Sequence, residues 1–468
     1  MNRSPLAALF ALGLSFSLCH STAADTTAFT IVDDDALDAA IAEVRAEFLA
    51  TQSFDRLNAC LLLPDGDRTW RRGAFNSDEL QYPASCVKLV YMARAMVWAR
   101  ENGMPYETLD ASVRPMIAVS DNVATGEVVD AISGVPNFAG NEANAPAFAD
   151  WLEKRLTTER WLESRGLLGN QTILHKTYPT NSGNGLSGYE QQAFDQRGGN
   201  RMQARLSASL MLEIIEGAIE PEANAYMREL LETDRWSSDS AVGFGVVPGS
   251  SYQNKIGVAY DTLEDIAFIA MPNGQRLILT VFTNGWDTGE PLPYDAAPLG
   301  VFAEMLIERL GLDAGNPPKI KADDADAAVA YEGSWSTGTS SVDKFGASYA
   351  FAAGGSGATA AFDLNVPRGG LYEVAVWWPD GGNRATNAPF TVEHRDGSTT
   401  VREDQTERGG CWVRLGDFEF EARRGRVVVG TQGVSTSRVV MADAVKATAW
   451  PVAVAGTSGW MVMGTGKN

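Results

Sequence analysis

Pro83-Ala84-Ser85-Cys86-Val87-Lys88 opens a run of apolar residues at helical spacing, and the fold of the first half of the chain is built outward from it. Residues three apart on a helix are neighbours on one face, so Ser85 and Lys88 would lie one above the other. The first turn of a helix also presents unpaired backbone N–H groups that favour a developing oxyanion. The stretch therefore predicts a nucleophile with its base, although a lone S-x-x-K is more often a solvated helix face.

Lys88 can accept the proton of Ser85 only if its amine is neutral near pH 7. A free lysine titrates near ~10.4, so the pKa must fall by ~3 units, or ~4 kcal/mol of differential environment. Burial and a second cation could supply that shift. We therefore expect another positive charge close to Lys88.

The composition is that of a folded protein, and the N-terminal residues predict its export from the cytoplasm. The chain has 468 residues, 45% of them hydrophobic and 21% charged, and is long enough for two or more domains. Residues 1–24 combine Arg3, an apolar run and small residues before Asp25, which is typical of a secretory signal peptide. We expect a secreted or periplasmic protein without a transmembrane segment, because no other apolar run approaches the length that a bilayer requires.

Charge and cysteine content narrow the classes of partner. The formal net charge of -21 argues against nucleic-acid binding, which needs clustered Lys and Arg. Cys60, Cys86 and Cys411 are too few for a disulfide scaffold and badly spaced for zinc. A Cys60–Cys86 bridge and two small buried apolar side chains are both compatible with the sequence. We expect neither a metal nor a cofactor.

The periodicities predict an α+β unit in which an antiparallel sheet carries helices on both faces. The helix from Ser85 to about Asn102 is expected to bury one face. Residues 174–199 are polar and glycine-rich and predict a long loop. The other predicted elements are helices over 35–51, 124–132, 147–168, 202–219, 223–233 and 298–310, and strands over 57–63, 68–75, 254–258, 266–271 and 276–283.

The residue pattern changes in the second half of the chain. Asn316-Pro317-Pro318 and the Ala- and Asp-rich residues after it indicate a domain boundary. From Tyr331 onward, short alternating runs separated by glycine-containing turns predict an all-β sandwich. The expected organisation is a signal peptide over 1–24, a first domain over 25–313, a linker over 314–330, the sandwich over 331–449 and a tail over 450–468.

Three motifs stand in order in the first domain: Ser85-x-x-Lys88, Ser120-Asp121-Asn122 and Lys255-Ile256-Gly257. In this order and context, residues 36–312 resemble the serine β-lactamase and penicillin-binding-protein superfamily, closest to its class A type. The resemblance implies that Ser85 is acylated and that Lys88 takes or relays its proton. It implies also that Ser120 bridges Lys88 and Lys255 and passes a proton to the leaving group.

The same resemblance implies a set of substrate-binding residues. Asn122 would hydrogen-bond a substrate amide, and Ile256 and Gly257 would lie on the strand that borders the substrate. The backbone N–H groups of Ser85 and Val258 would form an oxyanion hole, where one donor is typically worth ~2.7–4 kcal/mol. The implied substrate is a small acyl compound: a β-lactam, a peptide or an ester.

Two departures from the family pattern affect the second half of such a reaction. Ile256 stands where the family has a hydroxyl that helps to hold a substrate carboxylate, and isoleucine cannot donate that bond. The glutamate that deacylates class A enzymes has no clean match. Partial candidates are Glu153 and Glu159 in a helical pattern, and Glu190 and Asp195, which are expected to be solvated loop carboxylates.

The second domain is similar to the golvesin C-terminal, xanthan-lyase carbohydrate-binding-like domain. The similarity lies in motifs that include Trp377-Trp378-Pro379, residues 383–390 and Ala442-Asp443-Ala444-Val445. It implies a surface- or polysaccharide-binding module over 331–449. Trp377, Trp378 and Trp412 are candidate stacking faces for a sugar, but alternation along residues 374–378 must turn some of them inward, and core packing is the more common use of a tryptophan.

Two hypotheses follow. The first is a secreted serine acyl hydrolase whose sandwich localises it on a polysaccharide or cell-wall surface. The second is a surface-binding protein whose hydrolase-like domain has lost its chemistry, as Ile256 and the missing glutamate suggest.

Overall fold

A computed structural model describes residues 29–136, 145–169, 171–175, 186–285 and 297–452. The predicted signal peptide and the tail from residue 453 lie outside the described residues. Among the described residues, no helix has the length and apolarity needed to cross a bilayer. The helices are α1 Asp35–Leu49, α2 Lys88–Glu101, α3 Asp110–Ala118, α4 Asn122–Ser133, α5 Ala145–Arg155, α6 Thr157–Ser164, α7 Gly188–Arg197, α8 Ala204–Ile215, α9 Asn224–Leu231 and α10 Ala297–Arg309.

A six-stranded sheet forms the centre of the first half, with strand order β1-β3-β2-β6-β5-β4. It is antiparallel apart from its edge pair β1–β3, which is parallel. The predicted class, an antiparallel sheet with helices on both faces, is confirmed. The strands are β1 Thr30–Asp33, β2 Arg56–Pro64, β3 Thr69–Phe75, β4 Ser251–Ala259, β5 Thr262–Ala270 and β6 Arg276–Asn284.

The two faces of this sheet bury different helices. Helix α1 turns one apolar stripe to the sheet, as its 3–4 spacing predicts, and the side chain of Asp34 caps its first turn. Helix α2 lies on the opposite face, beneath α3, α4, α6 and α8. The predicted inner face of this helix, with Val87, Val90, Ala93 and Val97, is buried. The burial extends further than predicted, because the surrounding helices also bury Lys88 and Arg94.

Other differences concern elements with little apolar periodicity. Helix α7 occupies part of the predicted loop over 174–199. Its short buried face combines Tyr189 and Ala193, which join an apolar cluster, with Glu190, which pairs with the buried Arg155. The single helix expected over 147–168 is two helices, α5 and α6. Helix α3 and strand β1 were not predicted.

The second half is all-β, as predicted, with sheets of three, five and four strands. Strand β7 and the start of β8 fall inside 314–330, the stretch expected to be a linker, and β7 pairs with β18. The strands are β7 Lys319–Asp323, β8 Val329–Glu332, β9 Ser336–Gly338, β10 Tyr349–Ala353, β11 Thr359–Asp363, β12 Gly370–Trp377, β13 Ala388–His394, β14 Gly397–Glu403, β15 Val413–Phe420, β16 Arg426–Gly430, β17 Val439–Ala442 and β18 Ala444–Ala449.

Buried charges join the two halves. Glu304 on α10 accepts hydrogen bonds from Lys446 at 2.9 Å and Lys319 at 3.0 Å, and Lys321 lies 3.2 Å away. Burial alone would raise the pKa of Glu304, but these ammonium groups together lower it. Apolar residues of both halves also belong to one contiguous buried cluster. The carboxylate is therefore the shared counter-ion of the contact between the halves.

Removing that counter-ion is expected to destabilise the whole chain. In Glu304→Gln, the lysines lose a buried partner, and breaking a buried pair on one side typically costs about 3–5 kcal/mol. Urea denaturation of the full chain measures the effect. Glu308→Gln is the matched control, since Glu308 binds Lys319 and Lys321 but its side chain is 34% exposed. Equal losses in the two variants would contradict the assignment.

A second buried charge cluster lies in the sandwich, where carboxylate oxygens of Asp323, Asp324 and Asp443 lie within 4.8 Å of one another. Burial is the main cause that raises the pKa of Asp443 to about 9. The Phe345 N–H, which donates a hydrogen bond to this carboxyl, acts in the opposite direction, and the neighbouring carboxylates raise the pKa further. Burial raises the pKa of Asp323 to about 6. These groups are protonated in the folded state at a pH at which they ionise in the unfolded chain.

Stability should therefore fall with rising pH. The stabilisation is fully present below the unfolded pKa of about 4 and is lost as pH rises through the folded values of about 6 and about 9. In EDTA-containing buffer, Asp443→Asn should gain about 1–3 kcal/mol relative to wild type between pH 5 and pH 9. Urea denaturation across that range measures the difference, and parallel curves for the two proteins would refute it.

Candidate active site

Ser85 lies on a 3-10 turn, Ala84–Val87, and α2 begins only at Lys88. The sequence prediction of an α-helix starting at Ser85 is thus wrong by one turn, because the turn is tighter than an α-helix. Ala84 holds a φ of 41°, which is rare for a residue with a side chain. The serine is half-buried, so its hydroxyl sits at the boundary between core and solvent.

Lys88 is fully buried and its ammonium faces the second motif. Nζ donates to Asn122 Oδ1 at 2.8 Å and to Ser120 Oγ at 3.2 Å, and also to the Ser120 carbonyl. Burial, followed by the charge of Lys255, lowers the pKa of Lys88 to about 7, while Asp121 acts in the opposite direction. The second cation that the sequence argument required is therefore Lys255.

Ser120 connects the two lysines. Its Oγ accepts a hydrogen bond from Lys255 Nζ at 3.1 Å as well as the bond from Lys88. Burial also lowers the pKa of Lys255, whose ammonium donates to the Ile256 carbonyl at 2.9 Å. Ser120 has a φ of 58°, and Asp121 caps α4 directly after it. The left-handed residue ends the α3–α4 connection with its hydroxyl between the lysines.

Strand β4 approaches the Ser85 turn so closely that Gly257 has no room for a side chain. A Cβ there would lie 2.9 Å from Cys86 Sγ and from the Pro83 carbonyl. The Cys86 thiol bonds to the Lys255 carbonyl at 3.2 Å across the same contact. Cys60 and Cys86 are both buried free thiols, which decides between the two readings that the sequence left open.

The other residues of the third motif face away from the lysines or lie at the edge. Ile256 is 6% exposed and belongs to the apolar cluster on the α1 side, so its role is largely that of a core residue. Val258 is half-buried, close to the end of β4. Of the predicted substrate-binding residues, Asn122 contacts Lys88 through its side chain, and Ile256 contacts Lys255 through its backbone carbonyl.

The candidate deacylating carboxylates have other partners. Glu153 pairs with Arg160, and Glu159 with Arg197. Glu190 is wholly buried against Arg155, so the expectation of a solvated loop carboxylate is wrong for it. Asp195 accepts from Gln191 on the exposed side of α7. His175 is also buried.

In the sandwich, the tryptophans pack in the core. Trp377, Trp378 and Trp412 are each at most 5% exposed, and Trp377 and Trp412 meet edge to face. Their indole N–H groups are used internally where described: Trp377 donates to the Asp343 carbonyl and Trp378 to the Glu407 carbonyl. The idea that they stack on a sugar is therefore corrected: alternation along β12 and the residues beyond it does not expose them.

A feature that the sequence analysis missed adjoins the lysines. A cavity of about 280 Å³ borders Lys255 and Ile256 and is walled by α3, α9 and the segment 232–239. Its lining is rich in carboxylates. The signal was present in the sequence as the acidic run Glu229-Leu-Leu-Glu-Thr-Asp234, but only the fold brings this run beside β4.

Fold and site together define a protein with a β-lactamase-like half and a golvesin-like sandwich. The model of the beta-lactamase enzyme family matches residues 105–297, beginning after Ser85 and Lys88, and that of the golvesin C-terminal domain matches residues 320–449. Golvesin of Dictyostelium discoideum is 32% identical over 434 residues, which are 90% of this chain and 74% of golvesin. The chain belongs to the golvesin family.

Two further similarities are partial. The xanthan lyase of Bacillus sp. (strain GL1) is 36% identical over 142 residues, which are 29% of this chain and 15% of that protein. A crystal structure of a beta-lactamase from Sphaerobacter thermophilus covers 58% of this chain and 97% of its own, at 19% identity and a TM-score of 0.40.

The close contact at Gly257 predicts that a larger side chain there lowers the stability of the protein. In Gly257→Ala, the added methyl group must displace the backbone of the Ser85 turn, and overpacking of this kind typically costs about 1–3 kcal/mol. Gly382→Ala is the control, since a Cβ at Gly382 meets nothing within 4 Å. Thermal unfolding monitored by circular dichroism compares the two. An unchanged midpoint for Gly257→Ala would show that β4 and the turn are not in close contact.

Proposed function

We propose that this protein is a secreted serine acyl hydrolase of the β-lactamase and DD-peptidase type, acting through an acyl-enzyme on Ser85. One observation carries the proposal: Ser120 Oγ lies between two buried lysines, 3.2 Å from one ammonium and 3.1 Å from the other. Burying two like charges around one hydroxyl is costly for folding, and pKa values perturbed in this way cluster at functional sites.

The proposed acylation moves protons along this cluster. Lys88, neutral near pH 7, takes the proton of Ser85 while Ser85 Oγ bonds to the acyl carbon. The negative charge on the carbonyl oxygen is stabilised by the backbone N–H groups of Ser85 and Val258. As the bond to the leaving group breaks, Ser120 protonates that group and recovers a proton from its lysine neighbours. The products are the Ser85 ester and a neutral leaving group.

Deacylation is proposed to be slow. Glu153, Glu159 and Glu190 are engaged by arginines, and Ile256 offers no hydroxyl to a substrate carboxylate. These features favour a peptidase or esterase with a long-lived intermediate over an efficient β-lactamase.

The sandwich is proposed to attach the enzyme to a polysaccharide or cell-wall surface. Its match to the golvesin C-terminal domain and the 142 residues shared with xanthan lyase support this role. The proposed location is outside the cytoplasm, in the medium or periplasm, after removal of residues 1–24. Because the three tryptophans are buried, the binding surface must be made by other side chains.

A second candidate is a surface-binding protein without acyl chemistry. Ile256 in the third motif and the unassigned deacylating base favour it. It differs from the first in leaving Ser85 unmodified by any acylating probe.

Acylation is tested by intact-mass analysis after incubation with a fluorophosphonate, a penicillin and activated esters. We expect one probe adduct on Ser85 of the wild type and a mass unchanged in Ser85→Ala. Cys86→Ser is a useful second control, because its thiol is buried next to the serine and should not carry the label. An adduct that persists in Ser85→Ala, or no adduct with any probe, would leave the surface-binding candidate.

The acylation rate should rise with pH and level off, with a midpoint near 7. The neutral form of Lys88 is the base, and its pKa is lowered to about 7 by burial and by Lys255. In Lys255→Met, the second charge is gone, so the midpoint of the residual rate should move to higher pH by up to about one unit. Stopped-flow acylation over pH 5–9 measures both profiles. A midpoint that does not move would exclude Lys255 as the cause of the lowered pKa.

A further inference from the structure

The cavity beside Lys255 indicates which leaving groups the site accepts. Its wall includes Ile117 and Ala118 at the end of α3, two residues before Ser120, together with Lys255 and Ile256 of β4. Ser120 is the residue proposed to protonate the leaving group. A substrate acylating Ser85 would therefore direct its leaving group toward this cavity.

The lining of the cavity is negatively charged. Glu229, Glu232, Asp234 and Asp239 line it, against the cations Arg114 and Lys255. Arg114 is already paired with Glu229 and with Asp110 outside the cavity, both at 3.1 Å. Lys255 turns its ammonium to Ser120 Oγ and the Ile256 carbonyl.

Two further residues offer no cation or hydrogen-bond donor to a carboxylate on a leaving group. Arg235 follows Asp234 in the chain, but its guanidinium is buried and binds Glu373 of the sandwich and the Val246 carbonyl. Ile256, which borders the cavity but packs mainly in the core, has no hydroxyl. Neither the Arg235 guanidinium nor the side chain of Ile256 can therefore bind an anion in the cavity. The carboxylates that line the cavity remain.

We propose that the cavity selects acyl substrates whose leaving group carries a positive charge, such as an ammonium- or guanidinium-bearing alcohol, thiol or amine, and disfavours leaving groups with a carboxylate. The inference rests on the proposed function and names the substrate class of that site. Carboxylates at the mouth attract a cation and repel an anion.

Three thioesters with one acyl group test the proposal. Their leaving thiols carry a quaternary ammonium, a neutral hydroxyl or a carboxylate. Each reaction breaks the acyl–sulfur bond, forms the same Ser85 ester and releases the thiol, whose proton comes from Ser85 through Lys88 and Ser120. A disulfide dye measures thiol release in the full chain, and intact mass confirms the common adduct. Rates are divided by those of the same esters with free imidazole, which corrects for intrinsic reactivity.

We expect the corrected rate for the cationic ester to exceed that for the anionic ester by about tenfold or more at low ionic strength. Added salt should reduce the ratio, since exposed charges are screened. The double variant Glu232→Gln/Asp239→Asn should lower the ratio by roughly threefold or more, as expected when two nearby charges are removed. Glu222→Gln is the matched control, because Glu222 is exposed and lies outside the cavity lining.

The failures are distinguishable. If no ester releases thiol and Ser85 gains no mass, the proposed acyl chemistry is wrong and the inference falls with it. If Ser85 is acylated but the anionic ester is equal or faster, or the double variant leaves the ratio unchanged, the acyl chemistry stands and the inference is overturned.

Discussion

The burial of two lysines around one serine hydroxyl is the constraint on which the first half of the structure depends. Two ammonium groups that share Ser120 Oγ repel each other, and each loses hydration. The chain can hold them only by enclosing α2 on nearly every side and by setting β4 against the Ser85 turn. The lowered pKa of Lys88 is the direct result of that enclosure.

Strained backbone holds the hydroxyls in place. Ala84 and Ser120 both adopt positive φ. Ala84 directly precedes Ser85, and Ser120 bridges the two lysines. Left-handed conformations of such residues cost of order 1–3 kcal/mol and persist where surrounding packing fixes them. The strain at these two positions therefore adds to the cost of the buried charges, and the large shared core offsets both.

The sequence predicted what depends on apolar periodicity or on short motifs. Helix α1, the β4–β6 meander and the sandwich follow from such signals. Hydrogen bonds of Ser120 to Lys88 and Lys255 also bring residues of the three motifs together, while the role of Ser85 stays a prediction. Helix α7 did not follow from such signals, because its buried face has only Tyr189 and Ala193 as apolar members and includes the charged Glu190, which pairs with Arg155. The inward orientation of Trp377 and Trp378 depends on where β12 ends, and Ile256 packs in the core because its strand alternates away from Lys255. The lining of the cavity joins residues more than a hundred positions apart, so no local pattern contains it.

The sandwich contacts and supports the segment that walls the cavity. Glu373 on β12 binds Arg235 and Trp236, which lie within the segment that walls the cavity. Glu304, from the other side of the contact, receives lysines of β7 and β18. The sandwich and the residues beside Lys255 therefore belong to one continuous packed body. Because Arg235 binds Glu373, the contact between the halves also keeps this guanidinium away from the cavity, where Glu232 and Asp234, its neighbours in the chain, line the wall.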